Sequence, residues 1–163
     1  MPVVTVSGAE NPKAATVIWN RAIDNPTITA SGSAVDYPAV NVTQPGTYSS
    51  WKADGANGWL QFDFGAALQV DGAGIGAHNL ATSGVTSVVV QSSTNGTTWT
   101  SRATYTPTTN EDIITIFPVV SARYWRIQLT GPAANIGCVA IGKRLVFPHS
   151  PVDDYTPLRH SRQ

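Results

Sequence analysis

Apolar and polar residues alternate along short stretches of this chain, and no stretch holds a 3.6-residue apolar period over three helical turns. In residues 59–64, Leu60, Phe62 and Phe64 fall on one face and Trp59, Gln61 and Asp63 on the other. A period of two is that of a strand with one buried face. Residues 124–129 repeat it, with Trp125, Ile127 and Leu129 opposite Tyr124, Arg126 and Gln128. Strands are also predicted over 26–31, 70–77, 85–92, 99–105, 112–117 and 136–141, which makes about eight. Asn95-Gly96, between two of them, is a hairpin signal because both residues tolerate positive φ. Residues 14–23 read equally as a short helix or an irregular strand. Short strands punctuated by scattered Gly and Pro predict an all-β sandwich or jelly roll.

Composition narrows the partners. A chain of 163 residues is about one domain, with ten basic and ten acidic residues and a net charge of zero. That excludes broad attraction to nucleic acid or an anionic membrane, both of which need a basic surplus. Charged residues are 12%, roughly half the usual share, so the polar surface is built from Ser, Thr, Asn and Gln. Such a surface suits a neutral ligand or a protein. One cysteine, Cys138, excludes an internal disulfide, and its apolar strand predicts a buried, inert thiol. No apolar run approaches the ~18 residues of a membrane span, so no membrane insertion is expected. The start, Met-Pro-Val-Val-Thr-Val, does not read as a signal peptide, so the expectation is a soluble chain, either cytosolic or exported without a classical signal.

The organisation predicted is an N-terminal segment over 1–24, a jelly-roll body over 25–142 and an extended C-terminal arm over 143–163. The arm holds four basic and two acidic residues, which leaves the body at −2 and the arm at +2. Its prolines preclude a core of its own. Phe147, Val152, Tyr155 and Leu158, with Arg159 and Arg162, favour an arm that docks on a partner over a solvated tail.

Trp51, then Trp59-Leu60-Gln61-Phe62-Asp63-Phe64-Gly65, Ser92-Ser93-Thr94-Asn95-Gly96-Thr97-Thr98-Trp99 and Ala122-Arg123-Tyr124-Trp125-Arg126-Ile127 together resemble the discoidin, or coagulation factor 5/8 type C, family. The resemblance covers residues 25–142 and implies a galactose-binding-like β-sandwich jelly roll. Members usually bind sugars, lipid headgroups or proteins through loops at one end. Tyr37-Pro38-Ala39-Val40-Asn41-Val42, Gly76-Ala77-His78-Asn79-Leu80 and the closing 136–145 resemble discoidin-type structural proteins of tailed bacteriophages. That second likeness implies a virion component, in the tail, baseplate or tail-fibre region, assembled in the reducing host cytoplasm, which the lone Cys138 fits. Its partners would be other virion proteins and further copies of itself, with a host-surface glycan as an additional contact. The alternative is a lectin-like carbohydrate-binding adhesion module.

Candidate sites follow. Tyr37, Tyr48 and Trp51 lie in or beside predicted loops, where aromatic faces can cover the C–H face of a pyranose. Trp51 reads alternatively as a core plug. His78 ends a strand and is either a ligand contact or a satisfied structural group. Asp63 and Arg123 or Arg126 recur in the family motifs and are expected to form a structural ion pair across neighbouring strands. Sugar-binding members of the family often hold Ca²⁺ near the loop before the first tryptophan of the family pattern, here Trp51, but residues 41–51 contain no carboxylate. Calcium prefers charged oxygen ligands, so no metal and no cofactor are expected. No acid–base pair or nucleophile motif stands out, and no catalysis is expected.

Overall fold

The computed structural model describes residues 3–6, 16–44 and 48–146. Among them the strands are β1 (Val3–Val6), β2 (Thr16–Asn20), β3 (Thr27–Ala30), β4 (Trp51–Lys52), β5 (Trp59–His78), β6 (Ser87–Ser93), β7 (Thr100–Tyr105), β8 (Ile113–Thr130) and β9 (Asn135–Val146). The only helical pieces among these residues are two 3₁₀ turns, Arg21–Ile23 and Ala39–Thr43. No helix of the described residues is long and apolar enough to cross a membrane. The ambiguous stretch over 14–23 thus resolves into an edge strand followed by a 3₁₀ turn.

Two long strands build the sandwich. The first part of β5 pairs with β3 and with the second part of β8, for example Leu60 with Ile127. The second part of β5 pairs with β9 and with the first part of β8, as in Ile75 with Val139 and Ile113. Register shifts between Asp63 and Leu68 and between Val70 and Gly72 mark where the strands bend from one layer into the other. Gly65, at φ +73, supplies a backbone conformation there that side chains resist. Layer one is therefore β3-β5-β8-β6-β7, and layer two is β2-β9-β5-β8 with β1 parallel to β8.

The core fills the space between. Leu60, Phe62, Trp125 and Ile127 are wholly buried, as the alternation predicts. Phe117 from one part of β8 stacks on Trp125 from the other, with ring centroids 5.8 Å apart, so the folded-over strand packs against itself. Each such side chain contributes roughly 1.5–3 kcal/mol by leaving water.

The sheet is wider than the body expected over 25–142. β1 and β2 join it from the N-terminal side, and β9 runs on to Val146 opposite Thr16. The arm residues Phe147, Val152, Tyr155, Leu158, Arg159 and Arg162 lie outside the described residues.

Candidate functional site

The register places four connections at one end of the sandwich: 31–58, 79–86, 106–112 and 131–134. They are tied to one another. The Asn57 N–H donates to the Gly131 carbonyl at 2.8 Å, and the Gly131 N–H donates to Asn57 Oδ1 at 3.0 Å. Asn110 Oδ1 accepts from the Ala81 and Thr82 N–H groups, and the Ala53 N–H reaches the Ala134 carbonyl.

The connection 31–58 is the longest, and its described parts are held from within. The Trp51 indole N–H donates to the Gly32 carbonyl and to Ser33 Oγ, each at 3.1 Å. Asn41 Nδ2 donates to the Ser50 carbonyl at 2.9 Å, and buried Val42 pins the 3₁₀ turn to the core. The Ala34 N–H bonds the Lys52 carbonyl at 2.9 Å. A backbone fixed in this way displays its outward side chains at low ordering cost. Those side chains are apolar: Tyr48 is 95% exposed, Val35 85%, Val40 53% and Tyr37 39%. They are four of the eight large hydrophobic residues exposed among the described residues, so the apolar surface is concentrated on this loop. Val35 and Val40 escaped the sequence reading, because a β-branched residue in a Pro-rich loop reads as readily as a core contact.

Two expected contacts are corrected. Trp51 is wholly buried and is no platform for a ring; its indole N–H is committed to residues 32 and 33. His78 is 7% exposed and both ring nitrogens face the backbone. Nδ1 accepts from the Leu80 N–H at 3.4 Å, so Nε2 carries the proton and donates to the Glu111 carbonyl at 2.9 Å. Burial pulls the His78 pKa below its ordinary value, the Glu111 carbonyl and the Asp112 charge opposing this. The imidazole is a neutral brace between two connections rather than a ligand contact.

Asp63 and Arg123 form a bidentate pair, with Nε to Oδ1 at 2.6 Å and Nη2 to Oδ2 at 2.7 Å. Asp63 Oδ1 also accepts from the Gly65 N–H at 2.8 Å, so the pair fixes the bend in β5. The Arg123 hydrogen bond holds the Asp63 carboxyl below its ordinary pKa. Arg126 takes no part in this pair, a further correction. It sits on the next outward position of β8, where Nε donates to Gln91 Oε1 at 2.8 Å and the guanidinium lies 4.2 Å over the Trp99 ring.

Among the described residues no three His, Cys, Asp or Glu side chains come together as a metal site. A shallow cavity of about 280 Å³ on layer two is lined by Gly74, Gly76, Asp112, Cys138 and Ala140. Cys138 is partly buried there, and burial pushes its thiol pKa up.

This combination is an all-β jelly-roll sandwich with a braced apolar loop at one end. Residues 27–141 match the F5/8 type C domain, and the chain belongs to that family. No curated protein matches the chain by sequence. Among solved structures it is similar to chitosan-binding module 1 derived from a chitosanase/glucanase of Paenibacillus sp. IK-5, at 18% identity and a TM-score of 0.63, covering 76% of this chain and 98% of that one. It is similar to the CBM32 of AlyQ in complex with 4,5-unsaturated mannuronic acid, at 23% identity and 0.61, covering 71% and 92%. It is also similar to CpGH89CBM32-5 from Clostridium perfringens in complex with GalNAc-β-1,3-galactose, at 9% and 0.65, covering 76% and 99%. These likenesses show a common fold.

Proposed function

We propose that this chain is a non-catalytic carbohydrate-binding module that holds a neutral glycan on the 31–58 loop, with Tyr48 and Tyr37 stacking on sugar rings. The observation that carries the reading is the concentration of exposed apolar side chains on a loop braced from below. An aromatic ring covers the C–H face of a pyranose, and uncharged neighbours such as Gln44 bond its hydroxyls. The low charge of the chain suits a neutral ligand. The solved modules named above, two of them in complex with sugars, support the carbohydrate reading, and the GalNAc-β-1,3-galactose of one is a neutral ligand.

A glycan array with the wild type and Tyr48→Ala tests it. Binding by the wild type and its loss in the variant support the loop site, and no binding to any glycan removes it. The assembly reading, a virion part with other virion proteins and its own copies as partners, depends on the arm beyond Val146 and ranks behind. Deleting 147–163 and measuring particle incorporation tests that reading alone.

A further inference from the structure

The outward face of layer one is a different surface from the loop. Its side chains follow from the register: Gln61 of β5 lies opposite Arg126 of β8, which lies opposite Gln91 of β6. Trp59 lies two residues along from Gln61, opposite Gln128. The alternate positions Leu60, Trp125, Ile127 and Val90 are the buried core, so these residues point away from it.

Three observations converge on Arg126. Its guanidinium is partly buried between the Trp99 ring and the Gln91 amide, and among the described residues no carboxylate pairs with it. Burial lowers its pKa, so the charge is held partly out of water against a neutral acceptor. Its Nε is spent on Gln91, which leaves the terminal amino groups of the fork for an anion. Secondly, the Gln61 amide and the Trp59 indole N–H, although half-buried, have no hydrogen-bond partner among the described residues. Thirdly, the nearest acid on the face, Asp63, is already neutralised by Arg123. Neighbouring strands are about 4.8 Å apart and alternate residues about 6.7 Å, so Arg126, Gln61 and Trp59 span a patch roughly the size of a sugar ring.

We propose that this face binds a sugar bearing a carboxylate, a uronic acid residue of an acidic glycan. The terminal N–H groups of Arg126 grip the carboxylate, Gln61 bonds a ring hydroxyl and Trp59 lies beside the ring. The kind of ligand rests on the carbohydrate reading, but the surface does not, so the two can fail separately.

Calorimetric titration of the full chain with trigalacturonate and with neutral galactotriose is the test, with Tyr48→Ala, Arg126→Lys and Gln61→Glu as variants. Trigalacturonate binds the wild type and Tyr48→Ala alike, and raised salt weakens it. Arg126→Lys keeps the charge but loses the planar fork and costs roughly tenfold in affinity. Gln61→Glu places a carboxylate opposite Arg126 and abolishes binding with thermal unfolding unchanged. If Arg126→Lys unfolds the protein, Gln61→Glu decides. The proposal is overturned by no binding of trigalacturonate, by galactotriose binding as well at this face, by binding that survives Gln61→Glu, or by loss of binding in Tyr48→Ala. Trigalacturonate binding lost in Gln61→Glu, beside a blank array of neutral glycans, would uphold this site and remove the loop reading.

Discussion

The indole N–H of Trp51 donates to the carbonyl of Gly32, nineteen positions earlier, and so ties the end of the 31–58 loop to its beginning. Ser33 shares the donor, and no part of the ring is exposed. Trp51→Phe removes the donor, leaves the Gly32 carbonyl without this partner and opens a small void. The expected cost is about 1–3 kcal/mol. Urea unfolding measures it. Glycan affinity should fall too, although Trp51 touches no ligand, because the platform above it loosens.

Tyr48 gives the opposite dissociation. With 95% of its surface in solvent it contributes little to folding, and Tyr48→Ala should move unfolding by no more than about 0.5 kcal/mol. Its loss should nevertheless remove most glycan binding, at roughly 1–3 kcal/mol for a stacking aromatic that anchors an interface. Melting curves and titrations on the same preparation separate the two effects. A variant that melts early would mean that the side chain packs in solution.

His78 sets a pH dependence. Its folded pKa lies below 6.5 because burial disfavours the imidazolium, so the unfolded chain takes up the proton first. This contribution is complete above pH 6.5 and is lost as pH falls below it towards the folded pKa. Urea midpoints should therefore decline between pH 7.5 and 5, and His78→Gln should flatten that decline. An unchanged slope in the variant would assign the decline to other groups.

The alternation of apolar residues made the core of layer one legible. Leu60, Phe62, Trp125, Ile127 and Leu129 are buried where a period of two puts them. Less legible was that 59–64 and 70–77 are one strand. Gly65-Ala66-Ala67 reads as a break, yet it is where β5 bends between layers, and the ladder resumes at Leu68. Pro118 disguised β8 in the same way. β2 was ambiguous because its partner, 142–146, lies more than a hundred residues away, beyond any local pattern. The site was read in part. Tyr37 and Tyr48 are exposed, whereas Trp51 and His78 turn inward, to the distant Gly32 and Glu111 carbonyls that no local pattern identifies. Arg123 and Arg126, three positions apart in one motif, differ only in what faces each: a carboxylate for the first, an amide and an indole for the second.

The Asp63–Arg123 pair sets a second pH limit, well separated from that of His78. Asp63 accepts three hydrogen bonds, two from Arg123 and one from the Gly65 N–H, and its carboxyl is held below the ordinary 3.8. The folded state therefore releases this proton more readily than the unfolded chain. The stabilisation is complete above pH 3.8 and is lost as pH falls through that value towards the lower folded pKa. Asp63→Asn keeps an acceptor for Gly65 but loses the charge and half the fork. It should lower stability at pH 7, and below pH 3 the difference from the wild type should shrink as the native carboxylate is protonated. Because Gly65 sits at the bend of β5, the variant should also raise amide exchange over 64–68, while exchange in the 31–58 loop at the opposite end stays as it was. Amide exchange that rises in that loop as well would show that the bend and the loop platform open together.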